Sequence, residues 1–311
     1  MAVRDDGRLD DSKRCRVLPG PLKNLQELFI KRKTVRMKQR VITAIVMVAV
    51  MIPFFIFSGT LAFPVLAGFL AAVGIFEMQR CIGSVKHYAV SVPTIIAAAG
   101  MPFLVRYVKN DVIGYVFFIC FALITYTFAV SVFSKHRFPV ETAAFSCSTA
   151  VYISFGFSAL VLLRDLEHGR YIYLLAFIIP WVTDTFAYFC GRAFGKHKLI
   201  PDVSPKKTVE GSVGGTVCAV LVTLLYGLLI GAVTDSKPNY LPLALVTLIV
   251  SLVSQCGDLI MSLVKRKFGI KDYGRLFPGH GGVLDRFDSV ICVSPFIYFM
   301  TEFIPVLKLF S

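Results

Sequence analysis

A dense cluster of reactive side chains falls in one run, residues 262–288 (SLVKRKFGIKDYGRLFPGHGGVLDRFD), with Asp258 just upstream. Six Lys/Arg, five Gly, one His and, counting Asp258, four acids stand there between two apolar stretches. Carboxylates among lysines and arginines suit work on phosphates. The acids offer hard oxygen ligands to Mg²⁺, which keeps several waters and takes one or two protein carboxylates plus substrate phosphates. The cations neutralise charge in phosphoryl or nucleotidyl transfer, where catalysis is mostly positioning and electrostatics. Asp258 and Asp285 can converge as such a pair. Asp285 and Asp288 also open an apolar run, where the helix dipole alone favours negative charge. His280, between Gly279 and Gly281, can be a ligand, an acid/base or a turn residue.

Two further acids sit inside apolar context. Asp184 (PWVTDTFAYFCGR) and Asp258 (VSQCGDLIMSLVKR) each lie seven residues before the expected end of a span. At ~1.5 Å rise per residue both are about 10 Å below the surface. An unpaired acid near mid-bilayer costs roughly 2.5–3.5 kcal/mol, so a partner or a wet cavity is required. Ser251, Ser254, Gln255, Asp258, Ser262 and Lys265 follow steps of three or four and form one polar stripe. Asp184, Tyr188 and Arg192 repeat the pattern at i, i+4, i+8. Between these spans, GRAFGKHKLIPDVSPKKTVEGSVGG supplies Lys206 and Lys207, and Gly211, Gly214 and Gly215 can let backbone N–H groups approach a phosphate. Small residues equally serve close helix packing. Neither a P-loop nor a dinucleotide-binding glycine motif is present.

The elements that must position these residues are membrane helices. Of 311 residues 56% are hydrophobic and 17% charged, with mean hydropathy +0.72, where a soluble domain carries about 25% charged. The apolar runs predict an all-α polytopic membrane protein of about nine spans, roughly 41–59, 61–78, 89–105, 112–133, 142–163, 171–190, 212–234, 240–264 and 288–307. The first 40 residues hold twelve Lys/Arg against five acids. With this tail in the cytoplasm, the inner loops carry 15 Lys/Arg and the outer segments 6, as the positive-inside rule requires. The C-terminus then lies on the opposite side. The tail reads either as an interfacial helix at anionic headgroups or as a solvated orienting segment. The expected organisation is a basic tail (1–40), N-terminal helices (41–170) and a C-terminal catalytic region (171–311). Eight scattered Cys without C-x-x-C spacing read as small buried hydrophobes. His87, His136, His168 and His197 read as surface loop residues.

The 262–288 run resembles the signature of the phosphatidate cytidylyltransferase (CDP-diacylglycerol synthase) family, S-x-x-K-R-x4-K-D-x-G-x2-F-P-x-H-G-G-x2-D-R-x-D, at every specified position. The upstream D-T-x-A-Y-x-x-G-R (184–192) and S-P-x-K-T-x-E-G (204–211) are similar to that family's other elements. The resemblance covers about residues 181–288. It implies transfer of the cytidylyl group of CTP to phosphatidate, giving CDP-diacylglycerol and pyrophosphate for phospholipid biosynthesis, without a covalent enzyme nucleophile. It implies Mg²⁺ held by Asp258 and Asp285, with K⁺ as a second ion. Lys265, Arg266, Lys207 and Arg286 would hold phosphates, and Asp184, Glu210 and His280 would support them. Ser204, Thr208, Ser262, Lys271, Asp272, Gly281, Gly282 and Asp288 complete the expected substrate site. The implied partners are CTP, phosphatidate and membrane lipid, with no nucleic acid, in a homodimer. The expected location is the bacterial plasma membrane, active site facing the cytoplasm.

The competing readings are a CTP-dependent polyprenol or phytol kinase and, from another class, an ion-coupled transporter, which also buries acids in helices. The long signature argues against the first, and the crowding of polar residues into the C-terminal half argues against the second. The D-x2-D-G-x2-A-R run of CDP-alcohol phosphotransferases is absent.

Overall fold

Eight long helices follow one another in the computed structural model, which describes residues 49, 52, 53, 55–108, 110–134 and 138–311. They are α1 (Ala62–Ile82), α2 (Tyr88–Tyr107), α3 (Val112–Phe133), α4 (Val140–Asp165), α5 (Gly169–Phe194), α6 (Val209–Val233), α7 (Tyr240–Lys267) and α8 (Leu284–Phe303). Among the described residues seven of these, α1 to α7, are long and apolar enough to cross a membrane. The long helix outside that set is α8, whose twenty residues include Asp285, Arg286, Asp288 and Glu302. Eight of the nine expected spans thus meet a helix among the described residues, seven of them with the length and hydropathy to cross a membrane. The tail 1–40 and most of the expected first span, 41–59, lie outside the described residues, as does His136.

The helix ends follow local chemistry. Gly83, at φ +83°, closes α1 in a left-handed conformation that glycine adopts without steric cost. Thr208 caps α6 by accepting a hydrogen bond from Gly211 N–H. The ninth expected span, 288–307, is shifted toward the N-terminus: α8 begins at Leu284 and stops ahead of Pro305, which opens a short 3-10 turn.

Short links turn each helix antiparallel to the last, so the C-terminal ends of α1, α3, α5 and α7 share one face of the bundle. Contacts across that face agree: the rings of Phe145 and Phe268 lie 5.5 Å apart, and Arg80 on α1 donates to the carbonyl of Tyr273. At the other face Arg106 pairs with Asp165 at 3.4 Å, and Asn239 donates to the carbonyl of Lys308. His168 bonds Ser236 there at 2.9 Å, and His87 packs on Phe138, so neither is an unpartnered loop residue.

The core lies where α4, α8, α1 and α5 meet, with Ile153, Phe157, Leu175, Ile179 and Ile297 fully buried. α3 is peripheral: Thr127 is its one buried residue. The expectation of an all-helical chain needs one amendment. Between α5 and α6 an antiparallel hairpin forms from β1 (Lys198–Ile200) and β2 (Ser204–Thr208), pairing Lys198 with Thr208.

Close approach of α4 to α8 depends on Gly156, where a Cβ would meet Ile291 at its backbone oxygen, 2.6 Å away. Gly156→Val should destabilise the bundle by about 1–3 kcal/mol through overpacking. A thermal midpoint in detergent that stays at the wild-type value would contradict this packing.

Candidate active site

The hairpin carries a lysine into the bundle. Strand residues alternate sides, so Lys206 points to solvent while Lys207 turns inward. Lys207 Nζ meets Asp258 Oδ2 at 2.6 Å. The ammonium nitrogen is shielded from solvent and makes no regular hydrogen bond among the described residues, which leaves donors free for an anion. Asp258 stands nine residues before the end of α7 and Asp184 ten before the end of α5, about 14 and 15 Å along each axis at 1.5 Å per residue. Both helices run further than the expected spans. Asp184 keeps an accessible face, and Lys207 and Asp258 both act on it electrostatically. The charged partner that an acid in an apolar helix requires is thus present at Asp258.

The polar stripe of α7 divides by depth. Ser251 and Gln255, both buried, bond to Thr216 on α6 at 3.0 and 3.2 Å, and Ser251 also meets Thr183 on α5 at 2.9 Å. These residues join helices. Nearer the surface, Asp258, Ser262 and Lys265 belong to the site. The glycines of α6 are likewise packing residues rather than a phosphate cradle: a Cβ on Gly211 would lie 2.6 Å from Ala187 O, and on Gly215 2.5 Å from Thr183 O. The Gly211 N–H is already held by Thr208 Oγ1 at 3.2 Å.

The signature loop, 268–283, is organised around Asp285. Its Oδ1 pairs with Lys265 Nζ at 3.0 Å, and its Oδ2 accepts N–H bonds from Tyr273 at 2.7 Å and Gly282 at 2.9 Å. Gly281 holds φ +89°, where a Cβ would sit 2.6 Å from Asp285 Oδ2. Gly281 therefore makes room for the carboxylate. The buried Tyr273 hydroxyl donates to the Met261 carbonyl at 2.9 Å. Burial pushes this phenol above its ordinary range, so it remains a protonated donor. Outside this knot a cleft of about 740 Å³ is lined by Lys271, Asp272, Arg275, His280 and Arg286. Arg286 Nε donates to the His280 carbonyl at 2.8 Å.

Asp288 lies one turn after Asp285 on the same side of α8. Asp258, Lys265 and Asp184 all act on it electrostatically. Its level against α7 is fixed by Gly257, whose missing Cβ would lie 3.3 Å from the Asp288 carbonyl. Asp288 Oδ1 accepts the Ser289 N–H at 2.8 Å, while Oδ2 carries no hydrogen bond among the described residues. Among the described residues no group of three or more His, Cys, Asp or Glu is gathered for a metal. Mg²⁺ needs only one or two carboxylates beside phosphate and water. Asp258 and Asp288 fit that requirement with an oxygen free on each, whereas both oxygens of Asp285 are engaged.

The remaining expected residues sit on the rim. Arg266 reaches the Val203 carbonyl at 3.4 Å, tying the end of α7 to the hairpin turn, and Ser204 opens β2. Glu210 is bound to His197, which was expected to be unpartnered: ring nitrogen and carboxylate are 2.6 Å apart. Glu210 and Thr208 thus close the hairpin onto α6. One acid escaped sequence reading, Glu77 on α1, which accepts N–H bonds from Val283 and Leu284. A lone acid in the run 61–78 was its only signal, and its place one residue from the expected end made it look like a surface residue.

The profile of the cytidylyltransferase family matches residues 38–304. The chain belongs to that family. Relatives include the phosphatidate cytidylyltransferases of Staphylococcus haemolyticus (37% identical over 267 residues) and Staphylococcus aureus strain COL (39% over 269), each alignment covering 84% of this chain and 97% of the relative. That of Staphylococcus saprophyticus is 38% identical over 269 residues. In this family member the Lys207–Asp258 pair should behave as one unit. Combining Lys207→Met with Asp258→Asn should cost less stability than the two single changes summed, a coupling of about 0.5–3 kcal/mol. Strict additivity of thermal shifts in detergent would show that the pair is not formed.

Proposed function

We propose that this chain transfers the cytidylyl group of CTP to phosphatidate, leaving CDP-diacylglycerol in the membrane and releasing pyrophosphate. The observation that carries the reading is the coincidence of similarity to phosphatidate cytidylyltransferases over 84% of this chain with a lysine–aspartate pair about 14 Å from the end of α7. CTP seats its triphosphate in the loop cleft against Lys271, Arg275 and Arg286. The lipid phosphate enters beside Lys207, between α5, α6 and α7, where a bilayer lipid can reach it.

A phosphate monoester has a second pKa near 6, so its oxygen is largely deprotonated at neutral pH. The lipid phosphate oxygen attacks the α-phosphorus of CTP, the bond from that phosphorus to the bridging oxygen breaks, and pyrophosphate departs. No protein nucleophile or strong base is required; the work is alignment and charge neutralisation. Asp258 and Asp288 would hold Mg²⁺, which supplies charge neutralisation on the transferring phosphate. Asp285, expected as the second ligand, instead fixes Lys265 and the loop, and Asp184 sets the local charge balance behind Lys207.

The same proposal puts the basic tail and the signature loop in the cytoplasm of a plasma membrane, with nine spans, the C-terminus on the far side and the catalytic region in 171–311, assisted by α1. The homodimer and K⁺ rest on the resemblance alone.

The test is purified protein in detergent with labelled CTP, phosphatidate and Mg²⁺. A CDP-lipid should form, EDTA should stop it, and polyprenol should not replace phosphatidate. Asp258→Asn and Asp288→Asn should each lower kcat by at least about 100-fold, the scale of losing one electrostatic stabiliser. Folded wild-type protein that makes no cytidine lipid would overturn the assignment.

A further inference from the structure

We infer that Glu77 is a positioning residue for the transfer, a carboxylate on α1 that holds the signature loop and the first turn of α8 in working geometry; this rests on the reading of the site given above. Glu77 is 3% exposed, in the last turn and a half of α1. Its Oε1 accepts the Val283 N–H at 3.1 Å and its Oε2 the Leu284 N–H at 3.0 Å. The first N–H groups of a helix have no intrahelical partner, and negative charge is favoured beside them. At α8 the local N-cap, Val283, supplies no side-chain bond. A carboxylate from a helix some 200 residues earlier does that work instead.

The loop is shaped to receive it. A Cβ on Gly274 would lie 2.7 Å from Glu77 Cδ, and one on Gly282 2.5 Å from Oε2. Two signature glycines therefore exist to let this carboxylate in. One turn further, Arg80 donates to the Tyr273 carbonyl, while the Tyr273 N–H is held by Asp285. Gly282 is gripped from both sides, its N–H on Asp285 and its Cα against Glu77. Asp285, Arg286 and Asp288 all follow within one turn of the two residues that Glu77 holds, so a shift of Val283 and Leu284 moves all three. Misplacement of about 1 Å at a reacting centre can cost on the order of 100-fold in rate.

Glu77→Gln tests this with almost no change in shape. An amide presents one oxygen and one NH₂, so one of the two backbone N–H groups must face a donor. Gly282→Ala attacks the same contact from the loop. Each variant should lose about 100-fold in kcat while KM for CTP changes less than about 3-fold, the pattern of a lost transition-state alignment. The double variant should be no slower than the worse single, because both remove one contact. Amide hydrogen exchange over 273–288 should rise in both variants while that of α4 stays protected. A kcat within about 3-fold of wild type in Glu77→Gln would overturn the inference, as would a uniform rise in exchange across the bundle. Wild-type protein without cytidylyl transfer would remove the reaction assignment instead. The clamp would still be judged by exchange, and unchanged protection at 273–288 in Glu77→Gln would overturn it.

Discussion

Three carboxylates inside an apolar helical bundle set the terms for everything around them. An unpaired acid at such depth costs roughly 2.5–3.5 kcal/mol, and the chain meets that cost with lysines delivered by two polar segments. Lys207 descends from the hairpin to Asp258, and Lys265 at the end of α7 meets Asp285. The same cations are what a phosphate would seek. Neutralising the acids and recruiting the substrate are therefore one arrangement, and the segments between α5 and α6 and between α7 and α8 fold inward because of it.

The bundle serves this arrangement by being stiff where the site is anchored. Gly156 and Gly257 let α8 lie close against α4 and α7. Ser251, Gln255, Thr183 and Thr216 tie α5, α6 and α7 together below the acids. Without a hydrophobic difference between protein and lipid, small residues and interhelical hydrogen bonds are the available glue. α3, with one buried residue, is left out of this frame. The contrast separates the closely packed helices α4 to α8, joined by α1, from a helix with a single buried residue.

Much of this was legible in the sequence. The apolar runs gave the described helices to within a few residues, and α3 at its observed limits, because length and hydropathy alone decide where a chain crosses a bilayer. The acids Asp184 and Asp258 announced themselves as anomalies in apolar context. What stayed hidden was contact between distant segments. Strand alternation that separates Lys206 from Lys207 needed the hairpin, which short polar strands do not reveal. The division of labour between Asp285 and Asp288 turns on the contacts each makes one helical turn apart, and spacing cannot distinguish a loop-fixing carboxylate from one set a turn further along α8. The α6 glycines fit a phosphate cradle and a packing face equally by type; only the nearness of Ala187 and Thr183 decides it.

The claim that the hairpin drops Lys207 onto Asp258 while Lys206 stays outside can be read by cross-linking. With the eight native cysteines replaced, cysteine pairs at 207 and 258 and at 206 and 258 are treated in membranes with a short bismaleimide, which spans the length of the lost side chains, and the products are located by mass spectrometry. The account predicts rapid cross-linking for 207 with 258 and little for 206 with 258. Equal yields, or cross-linking through 206 alone, would contradict it.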